Sequence, residues 1–73
     1  MRREIPIPSR FGARIRALRL ERGWSQEELA ERADLDRTYI SGIERGLRNV
    51  ALRNIEQLAN AFGISLEELF QDL

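Results

Sequence analysis

Apolar residues recur along this chain at the spacing of an α-helix, three or four positions apart. The first such stripe consists of Phe11, Ile15 and Leu18. It predicts a helix over about residues 10–22, ended by Gly23, because glycine readily adopts the left-handed conformation found at helix C-termini. Ser9 is a suitable N-cap for this helix.

The residues before that helix contain two prolines. Pro6 and Pro8 have no backbone N–H, and each biases the residue before it toward extended conformations. We therefore expect residues 1–8 to form a flexible, non-helical arm, followed by a single helical domain over residues 9–73.

Two further helices are predicted in the middle of the chain. Ser25 and Glu28 have the spacing of a capping box, in which each side chain accepts from the other's backbone N–H, so a second helix begins here. A three-residue connector follows and ends with Asp36, which can cap the next helix. The third helix is expected over about residues 37–45, before Gly46.

A second long stripe and a second capping box complete the pattern. The stripe consists of Leu52, Ile55, Leu58, Ala59 and Phe62. It predicts a fourth helix ended by Gly63, and Ser65 with Glu68 predicts the start of a short fifth helix that extends to about Phe70. The predicted fold class is therefore all-α, with five short helices.

Composition narrows the possible functions. A chain of 73 residues forms one small domain, which buries only about 60% of the surface of its unfolded form, so support from dimerisation is expected. Cysteine and histidine are both absent, which excludes disulfides, thiolate metal sites, zinc fingers and a histidine general base. No apolar run reaches the roughly 18 residues of a membrane span. We expect a cytoplasmic, non-enzymatic protein without metal, cofactor or membrane partner.

The charges sum to zero but are segregated along the chain. Twelve basic residues, all of them arginine, balance twelve acidic residues. Residues 1–25 carry a net charge of +5, residues 26–36 carry −4, residues 37–53 carry +3 and residues 54–73 carry −4. Such alternating blocks indicate surfaces with different functions, so the zero net charge does not argue against nucleic acid.

The third predicted helix has an apolar face and a polar face. At 100° per residue, Ile40 and Ile43 mark a buried face, and Glu44 lies on the same side. The opposite face and the N-terminus carry Arg37, Thr38, Ser41, Gly42 and Arg45. This low, polar and basic surface suits contacts with base edges and phosphates. A helical Gly42 costs roughly 1 kcal/mol relative to alanine, and its benefit would be a closer approach of the backbone to a partner; a tolerated imperfection is the alternative.

Glu44 requires a partner, because an unpaired buried carboxylate is costly. Arg19 lies at the edge of the first apolar stripe. We predict an Arg19–Glu44 ion pair that joins the first helix to the third and has a structural rather than a catalytic role.

At these positions the sequence resembles a known family. The residues that carry the resemblance are Gly23 to Ala30, Ala33, Leu35, Tyr39 to Ser41, Ile43 to Gly46, Arg48, Asn49, Leu58 and Ala59. They resemble the phage-repressor-type (XRE) helix-turn-helix family over about residues 9–70. The run from Arg37 to Gly46, in so short a chain, most resembles the controller proteins of restriction–modification systems.

The resemblance implies a lambda-repressor-like DNA-binding domain, with the helix-turn-helix at about residues 25–46 and dimerisation through about residues 52–73. The implied function is a transcriptional regulator that binds a palindromic operator in double-stranded DNA as a homodimer, with RNA polymerase as a further candidate partner. A phage-type or stand-alone repressor and an antitoxin-like protein-interaction module remain as alternatives.

The resemblance and the helical wheel together give the candidate site residues. Those for DNA are Gln26, Arg37, Thr38, Tyr39, Ser41, Gly42, Arg45, Arg48 and Asn49. Those for the dimer interface are Leu52, Ile55, Ile64, Leu66, Leu69 and Phe70. The resemblance also matches Arg19 and Glu44 to the family's internal ion pair. Two assignments stay open: Tyr39 either packs against the second helix or donates its hydroxyl to a phosphate, and Arg10 and Arg14 either reach phosphates or are solvated.

The chain departs from the family's pattern at two places. Asp34 stands where the turn usually has glycine, and modest strain is expected because aspartate tolerates left-handed geometry better than most residues. Val50 and Ala51 stand where Pro-Ser is common, so the fourth helix lacks its usual cap. Asn49 is a candidate replacement cap, which competes with its assignment to DNA.

Overall fold

Five α-helices and the loops between them make up residues 4–73, the part of the chain that this computed structural model describes. The helices are α1 (Ile7–Glu21), α2 (Gln26–Ala33), α3 (Arg37–Glu44), α4 (Leu52–Phe62) and α5 (Leu66–Leu69). No strand occurs in this range, which confirms the all-α prediction. Within residues 4–73, no helix has the length and hydrophobicity of a membrane-spanning segment.

The first helix begins earlier than the sequence predicts. Pro6 is its N-cap and Pro8 lies in its first turn. A proline is favourable there because the first N–H groups of a helix have no intrahelical acceptor, so the missing donor costs nothing. The expectation that residues 1–8 are non-helical was therefore wrong for the last two of them, and Ser9 is not the N-cap. Residues 1–3 of the predicted arm lie outside the described residues.

Serine caps begin α2 and α5, as predicted. The Ser25 hydroxyl accepts from the Glu28 backbone N–H at 3.0 Å, and Ser65 with Glu68 forms a complete capping box. The box at α2 is only half formed, because the Glu28 carboxylate pairs instead with Arg32, one turn further along the helix, at 2.7 Å.

The N-cap positions of α3 and α4, like that of α1, lack a side-chain hydrogen bond. Asp36 stands at the N-cap of α3 without capping it, and Ala51 rather than Asn49 occupies the N-cap of α4. Asp34 adopts the left-handed conformation at φ 57°, in agreement with the expectation for the turn between α2 and α3.

The core draws on all five helices. Its buried apolar residues are Phe11, Ile15, Leu18, Leu29, Ala30, Ala33, Ile40, Ile43, Leu58, Ala59, Phe62 and Leu69. Trp24, between α1 and α2, is half-buried and stacks on Phe62 with ring centroids 5.7 Å apart. The Arg32 guanidinium covers the Trp24 ring at 4.3 Å, so Trp24 acts in packing.

Helices α1 and α3 approach each other closely at Gly12. A Cβ atom at this position would overlap the carbonyl oxygens of Ile43 and Glu44, at the end of α3. Those oxygens belong to the backbone and cannot move aside without shifting the helix. The absence of a side chain at Gly12 therefore fixes how α3 lies against α1.

We expect Gly12→Ala to destabilise the fold by about 1–3 kcal/mol, because overpacking a closed contact forces the two helices apart. This loss is expected even though alanine is the better helix former. Urea unfolding monitored by circular dichroism measures it. Ala17→Ser, at an exposed position of the same helix, is the control and should stay within about 0.5 kcal/mol of wild type. Equal stability of Gly12→Ala and wild type would contradict the close approach.

Candidate nucleic-acid interface

Helix α3 is anchored on one side and open on the other. Ile40 and Ile43 are fully buried in the core. Arg37, Thr38 and Arg45 are exposed, as the helical wheel predicts. The turn after α2 therefore holds a short helix whose outward side presents guanidinium and hydroxyl groups to solvent.

The end of α3 is tied to the end of α1 by the predicted ion pair. Arg19 Nε donates to Glu44 Oε2 at 2.7 Å and Arg19 Nη2 donates to Glu44 Oε1 at 2.9 Å. The third nitrogen, Nη1, donates to the Trp24 carbonyl at 2.8 Å. Hydrogen bonding to Glu44 raises the pKa of Arg19 above its ordinary value, against the opposing effect of burial, so the guanidinium stays charged.

Gln26 connects this buried pair to the surface. Its Nε2 donates to Glu44 Oε1 at 3.0 Å, and its Oε1 accepts from Arg37 Nη1 at 3.4 Å. Because the carboxylate accepts only from the amide nitrogen, the orientation of the Gln26 amide is fixed. A chain of polar contacts thus runs from Arg19 in the interior to Arg37 at the N-terminus of α3.

Arg48, from the loop after α3, lies back across the outward face of that helix. A Cβ atom at Gly42 would lie 3.1 Å from Arg48 Nε and 3.2 Å from its Cγ, and Gly42 is buried. The Arg48 guanidinium carbon lies 5.2 Å from the centroid of the Tyr39 ring. The Tyr39 hydroxyl donates to Asn54 Oδ1 of α4 at 3.3 Å, a partner that neither of the two alternatives for Tyr39 included.

Arg10 and Arg14 are neither simply solvated nor turned outward. Arg10 Nη1 donates to the Leu73 carbonyl at 2.7 Å. Arg14 donates to the carbonyls of Leu69 and Glu68 at 3.0 Å and 2.6 Å, and so completes the C-terminus of α5. No local pattern predicts these contacts, because they join residues more than fifty positions apart.

The proposed dimer residues differ widely in exposure. Leu52, Leu66 and Phe70 are exposed by 77%, 42% and 39%, and Ile55 and Ile64 are half-buried against the core. Leu69 is fully buried inside its own subunit. The prediction that Leu69 contacts a partner was therefore wrong, because the small domain already uses this side chain to attach α5.

Taken together, these features define a helix-turn-helix protein: α2, a left-handed turn and a supported α3 with an open polar face. The chain belongs to the helix-turn-helix family, whose model matches residues 15–69.

Among its relatives are control proteins of the kind that the sequence suggested. Control protein C.MunI of a Mycoplasma species is 50% identical over 68 residues, which is 92% of each chain. The restriction–modification controller protein C.AhdI from Aeromonas hydrophila is 52% identical, with a TM-score of 0.83 over 86% of this chain and 96% of that one. The controller protein C.Esp1396I, crystallised as a tetramer with its natural 35 base-pair operator, is 41% identical, with a TM-score of 0.82 over 88% of this chain and 84% of that one.

We expect Glu44→Gln to destabilise the fold by about 3–5 kcal/mol, because it leaves the Arg19 charge buried without a counter-charge. Denaturant unfolding at neutral pH measures the loss. Glu28→Gln is a matched control, since it makes the same chemical change in an ion pair of the same 2.7 Å length that is exposed on the surface. Its cost should be at most about 1 kcal/mol. Similar losses in the two variants would show that the interior pair does not hold α1 to α3.

Proposed function

We propose that this protein is a sequence-specific DNA-binding transcriptional regulator of the restriction–modification controller class. The observation that carries the proposal is the open, polar and basic outer face of α3, on a helix held rigidly by Gly12 and the Arg19–Glu44 pair. A helix of this kind fits the major groove, which is wide enough to admit it. The likeness to a controller protein crystallised on its operator supports the proposal.

Within this proposal, the side chains divide between base reading and phosphate binding. Arg37, Thr38 and Ser41 read base edges from α3. The phosphate contacts come from Gln26, Arg45, Arg48 and Asn49, whereas Tyr39, whose hydroxyl donates to Asn54, supports Arg48 through its ring. Arginine suits both tasks, because its planar guanidinium makes paired hydrogen bonds to guanine or to phosphate.

The segregated charge is consistent with this division. Residues 37–53 carry a net charge of +3. They form α3, which is the reading helix of this proposal, the loop after it and the first two residues of α4. Acidic residues lie on α2 and along α4 and α5 instead. With no overall positive charge, we expect weaker non-specific binding to DNA than a uniformly basic domain shows.

The second element of the proposal is a homodimer. Leu52, Leu66 and Phe70 expose apolar surface on α4 and at the end of α5. Ile55 and Phe70 also line a cavity of about 180 Å³ beside Phe11. Covering this surface with a second copy would place two reading helices on a palindromic site, with half-site centres about 10–10.5 base pairs apart.

The acidic surface of α2 is the part we assign to contacts with RNA polymerase. Glu27 and Glu31 are exposed there and lie on the helix that precedes the reading helix. They favour a basic protein surface and repel phosphate, so they suit a partner that binds beside the DNA rather than the DNA itself. In this role the regulator would act on DNA in the cytoplasm.

Selection of bound duplexes from random DNA, followed by measurement of the stoichiometry, tests the proposal. We expect a palindromic sequence bound by two chains. Failure to select any sequence, together with a stable complex with another protein in cells, would favour an antitoxin-like interaction module instead. A restriction or methylation gene beside the coding sequence would separate a controller protein from a phage-type or stand-alone repressor.

For the selected operator, we expect Arg37→Ala to weaken binding by about 1–3 kcal/mol and to relax the preference at one base position. The reason is that a bidentate arginine discriminates guanine from other bases. Binding assays on the operator and on a set of single-position variants measure both effects. An equal loss on all sequences would instead assign Arg37 to a phosphate.

A further inference from the structure

Gly42 lies on the outward side of α3 and is nevertheless buried, because a side chain of the same subunit covers it. The atoms over it are Nε and Cγ of Arg48, 3.1 Å and 3.2 Å from the position that a Cβ atom would take. These distances are shorter than ordinary van der Waals contact. A methyl group would therefore displace the Arg48 side chain by a few tenths of an ångström or more.

Tyr39 holds the other end of the same side chain. Its ring centroid is 5.2 Å from the Arg48 guanidinium carbon, within the range of a cation–π contact. Tyr39 and Gly42 are three residues apart and so are neighbours on one side of the helix. The aliphatic part of Arg48 thus lies in the space left by the absent side chain of Gly42, and its guanidinium lies over the Tyr39 ring.

We propose that Gly42 is a positioning residue for Arg48: because Gly42 has no side chain, Arg48 can pack against α3 before DNA is bound. The inference rests on the proposed function and deepens it, since it assigns to Gly42 an action through Arg48 rather than a direct approach to DNA. This packing affects affinity because a flexible arginine loses side-chain conformational entropy when it binds a phosphate. An arginine that is already ordered in the free protein loses less.

If Gly42 positions Arg48, Gly42→Ala should weaken operator binding without lowering the stability of the fold. Alanine is a better helix former than glycine, so Gly42→Ala should leave the melting temperature unchanged or raise it. The same change should weaken operator binding by about two- to fivefold, the factor that corresponds to losing one exposed cation–π contact. A substitution that harmed the fold alone would move the two measurements in the same direction.

A double-mutant cycle tests the route of the effect. Wild type, Gly42→Ala, Arg48→Ala and the double variant are titrated with the selected operator at several salt concentrations. We expect Arg48→Ala to lower affinity on all sequences and to reduce the salt slope by about one, as loss of a phosphate contact does. The double variant should bind like Arg48→Ala alone. If Gly42→Ala weakens binding equally with and without Arg48, Gly42 acts directly on DNA and the proposal is overturned.

A measurement on the protein without DNA tests the packing of Arg48 itself. In wild type, the Tyr39 ring current should shift the Arg48 side-chain proton resonances upfield, and Gly42→Ala should reduce that shift. An unchanged shift in Gly42→Ala would overturn the proposal. If wild type selects no operator, the proposed function fails as a whole. Normal wild-type binding with independent effects of the two substitutions contradicts only the role of Gly42.

Discussion

The buried pair of Arg19 and Glu44 is the interaction on which the placement of α3 depends. One carboxylate receives the guanidinium from the end of α1 and the amide of Gln26 from the start of α2, and it belongs to the last residue of α3. Three helices therefore meet at a single charged group. Because either charge would be costly in the interior without the other, alternative arrangements of these helices are strongly disfavoured.

Several arginines of this protein bind its own backbone. Arg14 and Arg22 donate to backbone carbonyls at the ends of α5 and α4, where the last carbonyls have no partner within the helix. Arg10 donates to the carbonyl of Leu73, in the segment after α5. Their delocalised charge and several donors suit this task. The number of basic residues is therefore a poor measure of the surface available to a polyanion, and a zero net charge is compatible with a local basic face.

Local signals predicted most of the fold. Serine caps, glycine stops and apolar stripes located the helices, and the helical wheel identified the Arg19–Glu44 pair. The start of α1 was predicted too late, because proline was treated only as a helix breaker and not as a favourable first-turn residue. The contacts of Arg10 and Arg14, and the covering of Gly42 by Arg48, depend on tertiary packing, which a single helical wheel does not contain.

The attachment of α5 to α1 has a consequence for operator geometry. One side of α1 packs against α3 at Gly12, and Arg14 of α1 donates to the carbonyls at the end of α5. The outward face of α3 and the exposed apolar surface at α5 are therefore both positioned by α1. In the proposed dimer, the two α1 helices would then fix the distance between the two copies of α3. A change in the number of base pairs between the half-sites would then weaken binding more than a change in the identity of those base pairs. An operator with a different spacing would have to bend in order to bind both copies of α3.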